Sequence, residues 1–150
     1  MRAVLQRVTA GNVRVGEELV GQIERGLVIL LGIGPGDDQA TVEYLVRQIV
    51  DLRIFSDDQG KMNLSLQDVD GEALVVPQFT LYADTSRGNR PSFTGAAPPD
   101  KARKLVDTFQ AELAAAGVPT QNGRFGAHMQ VGLVNDGPVT IILDTEESGD

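Results

Sequence analysis

A chain of 150 residues with 13 lysines and arginines against 21 acids carries a formal charge of −8. It fits one domain and lacks the basic excess of a protein that coats nucleic acid or DNA broadly. Cysteine is absent and histidine occurs once, which excludes thiol catalysis, a disulfide framework, thiolate metal sites and any site built from several imidazoles of one chain.

In chain order, residues 2–8 alternate, with Ala3, Leu5 and Arg7 on one side and Val4, Gln6 and Val8 on the other, which predicts a strand. Val13 and Val15 continue the pattern after an expected turn at Gly11-Asn12. Residues 19–23 and 27–33 follow, separated by Glu24-Arg25-Gly26. The second run is continuously apolar and predicts a strand covered on both faces. An N-terminal antiparallel group is the natural assembly. Gly34-Pro35-Gly36 stops it, and Asp37 or Asp38 caps a helix whose stripe is Val42, Leu45, Val46, Ile49 and Val50.

Residues 52–55 predict a short strand, ended by Ser56-Asp57-Asp58-Gln59-Gly60, and residues 73–76 a strong one. Pro77 cannot donate to a ladder and implies a bulge, an edge or a break. Residues 83–99 form a loop longer than a plain connector, and such loops are often functional. Pro98-Pro99-Asp100 begins a second helix with the stripe Ala102, Leu105, Val106, Phe109 and Leu113, ended by Gly117 at C′. Residues 118–120, 129–134 and 139–143 read as three closing strands, the middle one carrying Met129, Val131 and Leu133 on one face. The order predicts an α/β domain with a mixed sheet and its helices on one face.

No secretory signal is visible at the start, and the apolar run at residues 27–33 is far shorter than the ~20 residues that cross a bilayer. A soluble protein of a reducing compartment, the cytoplasm, with no membrane partner is expected. Residues 144–150 carry four acids and no base and are expected to be a frayed tail beyond a body of residues 1–143.

Chemistry-bearing motifs are sparse. His128 is a lone candidate base, but no Gly-x-Ser-x-Gly elbow accompanies it, and a triad needs three groups in mutual reach. Asp57-Asp58 and Asp68-Val69-Asp70 offer hard oxygen ligands, yet they sit where solvated turns are expected. Gly32-Ile33-Gly34-Pro35-Gly36 lacks the spacing and the Lys-Ser/Thr ending of a phosphate loop. Neither a metal nor another cofactor is expected. Arg87, Arg90, Lys101, Arg103 and Lys104 lie close together in the chain, as a solvated face or as local phosphate contacts. Two segments disturb the ends of strong strands: Pro77-Gln78-Phe79-Thr80-Leu81, and Asn135-Asp136-Gly137-Pro138-Val139-Thr140. On local evidence the second is a good turn.

With these segments the sequence becomes recognisable. Residues 1–8, Arg53-Ile54-Phe55-Ser56-Asp57, Gly60-Lys61-Met62-Asn63, Leu74-Val75-Val76, Gln78-Phe79-Thr80-Leu81, Arg90-Pro91-Ser92-Phe93, Gly123-Arg124-Phe125, Met129-Gln130-Val131 and residues 133–140 together resemble the D-aminoacyl-tRNA deacylases, formerly called D-tyrosyl-tRNA deacylases. The resemblance covers about residues 1–143. It implies a partly closed barrel of mixed β-sheets with two main helices packed on one face. It implies a homodimer that hydrolyses the ester joining a D-amino acid to the 3′-terminal ribose of tRNA. Activity on glycyl-tRNA, including tRNA(Ala) mischarged with glycine, is also implied.

In that family a Gly-Pro dipeptide with a cis peptide bond enters the pocket of the other subunit, and its carbonyls leave no room for an L side chain. Here the dipeptide is Gly137-Pro138, with Asn135 and Thr140 beside it as substrate-binding residues. Proline makes the cis form accessible, and glycine lets backbone approach a ligand. The catalytic wall is Gln78-Phe79-Thr80, with the backbone N–H groups of Phe79 and Thr80 as oxyanion donors. The Thr80 hydroxyl is the weaker alternative, as a nucleophile without an evident base. The resemblance implies instead that the ribose 2′-hydroxyl helps activate water. Phe125 and Met129 are expected at the terminal adenosine. One position departs from the family pattern: Pro77 stands where a serine is usual, so both a hydroxyl and an N–H are missing there. Two other readings stay open, a non-catalytic binding protein on the same scaffold and a metal-dependent hydrolase.

Overall fold

The computed structural model describes residues 1–146. Its sheet is organised around β1 (Arg2–Val15). One edge of β1 pairs antiparallel with β2 (Glu18–Ile23) and then with β3 (Gly26–Gly32), while the other edge pairs antiparallel with β8 (Gln130–Asp144). β3 runs parallel to β6 (Glu72–Pro77), and β6 runs parallel to β7 (Thr120–Asn122). Parallel neighbours need long crossovers. The first carries α1 (Gln39–Asp51) and a small pair, β4 (Phe55–Ser56) with β5 (Met62–Leu64). The second carries a 3₁₀ turn (Phe79–Tyr82), a long loop and α2 (Pro99–Ala115).

Alternation along β3 and β6 sorts their side chains between two cores. Leu27, Ile29, Leu31, Ala73 and Val75 join Ala3 and Leu5 against both helices. Val28, Leu74 and Val76 face the other way and pack with Val8, Val13 and Ile23. This second cluster fills the curl of the sheet. At Gly21 of β2 an added Cβ would lie 2.9 Å from the Asn122 carbonyl oxygen of β7, so the two ends of the strand path nearly close a barrel. The helix side is the larger core. Phe109 is fully buried in it, and truncating such a ring to alanine typically costs about 3–5 kcal/mol.

The expected α/β architecture, with both helices on one face, is the observed one. The predicted stripe of α1 is its buried set, Val42, Leu45, Val46, Ile49 and Val50. Asp38 is the N-cap, in a capping box with Thr41. Gly117 follows the second helix at φ +97°. Leu52 ends α1 rather than starting a strand, because its N–H still reaches Ile49 O; the strand begins at Phe55.

Two predicted turns lie inside long strands. Gly11 and Asn12 pair with Ile23 and Gln22 on one side and with Leu133 and Gly132 on the other. Asn135-Asp136-Gly137-Pro138 does not reverse the chain. Asn135 pairs with Val8 and Thr140 with Gln6, so residues 136–139 bulge outward opposite Arg7 and the strand then resumes. Both flanks share β1 as partner, and that common ladder overrides the local turn preference. The two predicted strands, residues 129–134 and 139–143, are therefore parts of the one strand β8, which begins at Gln130. The first of the three predicted closing strands, residues 118–120, also shifts: β7 starts at Thr120, and Val118 belongs to the core.

At the C-terminal end, Asp144 closes β8 and accepts from Arg2 Nε at 2.9 Å, and Thr145 N–H donates to Met1 O at 3.0 Å. The body thus extends past residue 143 through its pairing with β1. The rest of the expected acidic tail, residues 147–150, lies outside the described residues. The amino group of Met1 is buried against Asp37 Oδ1 at 2.8 Å. No helix among the described residues is long and apolar enough to cross a membrane.

Candidate active site

Where β6 ends, the chain turns tightly and builds one wall of a cavity. Pro77 is the last strand residue, opposite Leu31, and Gln78 N–H still donates to Leu31 O at 2.8 Å. The missing N–H of Pro77 is tolerated because β7 pairs only with Ala73, Leu74 and Val75 and leaves that edge open beyond them. Phe79 and Thr80 then open the 3₁₀ turn, which has no side-chain cap, so their N–H groups point out of the turn without an internal carbonyl.

The cavity measures about 520 Å³. Its lining includes Gln78 and Phe79 after β6, Phe93 of the long loop, Pro99 and Val106 of α2, and Phe125. Pro99 and Val106 are presented by the start of α2, where proline suits a first turn that needs no N–H. Arg103, one turn in, lies over the Phe125 ring at 4.8 Å. An apolar pocket with a backbone-donor wall suits a planar, partly apolar ligand with one polar reacting group.

The turn is held from behind. Arg2 Nη1 donates to Leu81 O at 2.9 Å, and its guanidinium covers the Tyr82 ring at 4.4 Å. The hydrogen bond to Asp144 holds Arg2 more firmly protonated than usual. Tyr82 is buried, and its hydroxyl has no hydrogen-bond partner among the described residues. Burial first, then the negative charge of Asp37, pushes its pKa well above the ordinary phenol value, so it stays neutral.

The remaining candidates fall in different places. The Thr80 hydroxyl accepts from Gln78 Nε2 at 3.0 Å, and among the described residues no acid or imidazole is hydrogen-bonded to it. His128 is exposed, 3.4 Å from Gln130. Met129 packs on the barrel-side cluster, and its sulfur accepts from Arg124 N–H; it is not part of the cavity lining. Asp57 accepts from the Gln59 and Lys61 N–H groups, and Asp68 from Ser65. These bonds hold both carboxyls below the usual range and mark them as loop caps.

Gly137 and Pro138 are exposed on the outward bulge of β8, and the bond between them is cis. They do not line the cavity of their own chain. Their flanks are tied down on both sides. Asn135 Oδ1 accepts from Val139 N–H at 2.7 Å, and Asn135 Nδ2 donates to Gln6 Oε1 at 2.6 Å. Thr140 Oγ1 donates to the same Gln6 oxygen at 2.6 Å. Beneath the bulge, Arg7 Nε donates to Asp136 O and Nη1 to Ile54 O, both at 2.8 Å.

Sequence reasoning missed Gln6, Arg7 and Arg2 as supports of these segments. The signal was present for Arg7. Alternation put it in line with Ala3 and Leu5, and a cation on an apolar face needs a partner.

The match to known proteins covers this whole arrangement. The family model for D-Tyr-tRNA(Tyr) deacylase matches residues 4–144. The chain belongs to that family. A D-aminoacyl-tRNA deacylase of Roseiflexus sp. (strain RS-1) is 60% identical over 145 residues, 97% of this chain and 94% of that protein. One from Thermomicrobium roseum (strain ATCC 27502 / DSM 5159 / P-2) is 58% identical over 147 residues, 98% and 96%. Among solved structures, the c-Myc DNA unwinding element binding protein superposes with a TM-score of 0.91 at 44% identity, over 96% of this chain and 98% of that one. A probable eukaryotic D-amino acid tRNA deacylase gives 0.83 at 19% identity, over 95% and 97%, a likeness of fold.

Proposed function

We propose that this protein is a D-aminoacyl-tRNA deacylase of the cytoplasm that works as a homodimer. The observation carrying this reading is the separation of two elements within one chain. Phe79 lines a cavity and Thr80 follows it in the turn, while the exposed Gly137–Pro138 bulge of β8 does not line that cavity. A second copy related by a two-fold axis brings the bulge of one chain to the cavity of the other. Among the described residues β8 pairs with β1 alone, and it exposes Val131, Leu133, Val134 and Ile142. An uncovered apolar edge strand is a ready surface for such self-association.

In this reading the terminal adenosine occupies the cavity beside Phe125. The ester carbonyl faces the N–H groups of Phe79 and Thr80. A water oxygen bonds to the carbonyl carbon, and the negative charge that develops on the carbonyl oxygen is stabilised by those donors. The C–O3′ bond then breaks, the ribose oxygen takes a proton, and free D-amino acid and tRNA leave. The ribose 2′-hydroxyl assists the water, consistent with the lack of an acid–base pair at Thr80 among the described residues. The Gly137 and Pro138 carbonyls occupy the space an L side chain would need. Glycine has no side chain to exclude, so glycyl-tRNA(Ala) is also a substrate.

The test follows ester loss from D-tyrosyl-, L-tyrosyl- and glycyl-tRNA(Ala) alongside the solution mass. Rapid loss of the D and glycyl esters by a dimer, with the L ester spared, is expected. A monomer with equal D and L rates overturns it. Pro77, which removes the family's usual serine hydroxyl from the wall, favours one other reading, a non-catalytic binder. That reading requires tRNA-end binding without turnover.

A further inference from the structure

Two aromatic rings stand in solvent at the mouth of the cavity. Phe79 is 59% exposed and Phe93 37%. They meet edge to face, with centroids 5.1 Å apart and planes at 73°, and both also border the cavity. An edge-to-face pair uses the face of only one of its rings, so a face remains open to a third planar group.

Cations flank this pair. The Asp84 and Ser92 backbones bond reciprocally, at 2.7 and 2.9 Å, and pinch off a loop that carries exposed Arg87 and Arg90 and leads directly into Phe93. The first turns of α2, which supply Pro99 to the cavity, add exposed Arg103 and Lys104. Residues 83–104 hold five cations against two acids in a chain whose net charge is −8. This segment, which also supplies Phe93, Pro98 and Pro99 to the cavity, is thus locally basic. Exposed rings bordered by arginine are how proteins hold single-stranded nucleic acid, by stacking bases and tracking phosphates.

We infer that the Phe79–Phe93 pair is a stacking platform for the nucleobase preceding the terminal adenosine, with Arg87 and Arg90 on the adjoining phosphates. This rests on the reading that the cavity holds the terminal nucleoside. The platform is a second nucleotide subsite, and through it the enzyme distinguishes an aminoacylated RNA end from a free aminoacyl nucleoside. In tRNA the stacked base is cytosine.

The probes are non-hydrolysable D-tyrosyl amides of 3′-amino-3′-deoxyadenosine. One is the nucleoside alone, one carries a 5′ cytidylate, and one carries a 5′ abasic ribose phosphate. Calorimetry on the wild-type protein should show the cytidylate binding about tenfold tighter than the nucleoside, as one base stacked on a ring is expected to add. The abasic probe should lose most of that gain. Phe93→Leu should abolish the gain, read within the variant as the ratio of cytidylate affinity to nucleoside affinity. Arg87→Ala with Arg90→Ala should weaken both phosphate-bearing probes, and less so as salt rises. An equal gain for the cytidylate and abasic probes, or none for either, overturns the platform. If D-selective turnover is intact when that happens, only the platform fails. If D-selective turnover is itself absent, the deacylase reading fails first.

Discussion

Gly137→Ala tests the bulge directly. The backbone at Gly137 has φ +146°, where L residues are strained, and holding a residue in such a region costs about 1–3 kcal/mol. An added Cβ would also lie 2.7 Å from Val139 Cγ2, 2.9 Å from Val139 N and 3.3 Å from Arg7 Nη2. The first of these side chains can rotate away, but the backbone nitrogen cannot. The collision is therefore within the chain, beneath the bulge, and not chiefly with a ligand. Because residues 136–138 are exposed, the cheapest relief is a displaced bulge on an otherwise intact sheet. Melting should fall by no more than about 3–9 °C, from about 3 °C per kcal/mol for a domain of this size. Deacylation of D-tyrosyl-tRNA should fall at least about tenfold, the consequence of losing 1.4 kcal/mol or more of correctly placed bulge, and the D-over-L ratio should narrow. Single-turnover ester loss for both substrates, with a melting curve, reads all three. A variant that keeps the wild-type D rate, D/L ratio and melting point would refute the reasoning.

Three further outcomes are expected. Arg7→Met removes donors from Ile54 O and Asp136 O. Only the first carbonyl is buried with its residue, so the loss should be about 2–4 kcal/mol in denaturant melts; an unchanged midpoint would count against it. Tyr82→Phe deletes a buried hydroxyl without a partner among the described residues and should be neutral or stabilising by up to about 1 kcal/mol, whereas a loss larger than that would mean that the hydroxyl is bonded. Asp38 is held below the usual carboxylate range by the Thr41 backbone N–H first and the Thr41 hydroxyl second. Its folded pKa lies below its unfolded one, so its contribution is complete above about pH 4 and is lost as pH falls through the folded value. Asp38→Ala should therefore melt below wild type at pH 7 and alongside it near pH 2, and a gap that widens on acidification would contradict the assignment.

What the amino-acid order determined by itself was periodic. The five-residue stripe of α1, an aspartate cap at 37 or 38, Gly117 after α2 and the two-faced burial of β3 follow from side-chain spacing, because each is a matter of which residues share a face within a few turns or pleats. The family was equally legible, since its motifs are local strings. Tertiary structure decided the rest. Gly11-Asn12 and Asn135-Asp136-Gly137-Pro138 carry real turn chemistry, yet both were drawn into strands, the first because β1 is paired there with β2 and β8 and the second because both its flanks pair with β1, and such ladders contribute more hydrogen bonds than a local turn can. Val131 and Leu133 alternate as a core face should, but they lie partly in solvent, since alternation fixes which side a residue takes and not what covers that side. The cavity joins Leu31 and Val106, which read as core in their own segments, with Phe93 of the long loop and Phe125, which the family resemblance put at the adenosine. Whether an apolar side chain meets another or borders an opening depends on how distant segments pack, and no short window of sequence contains that information.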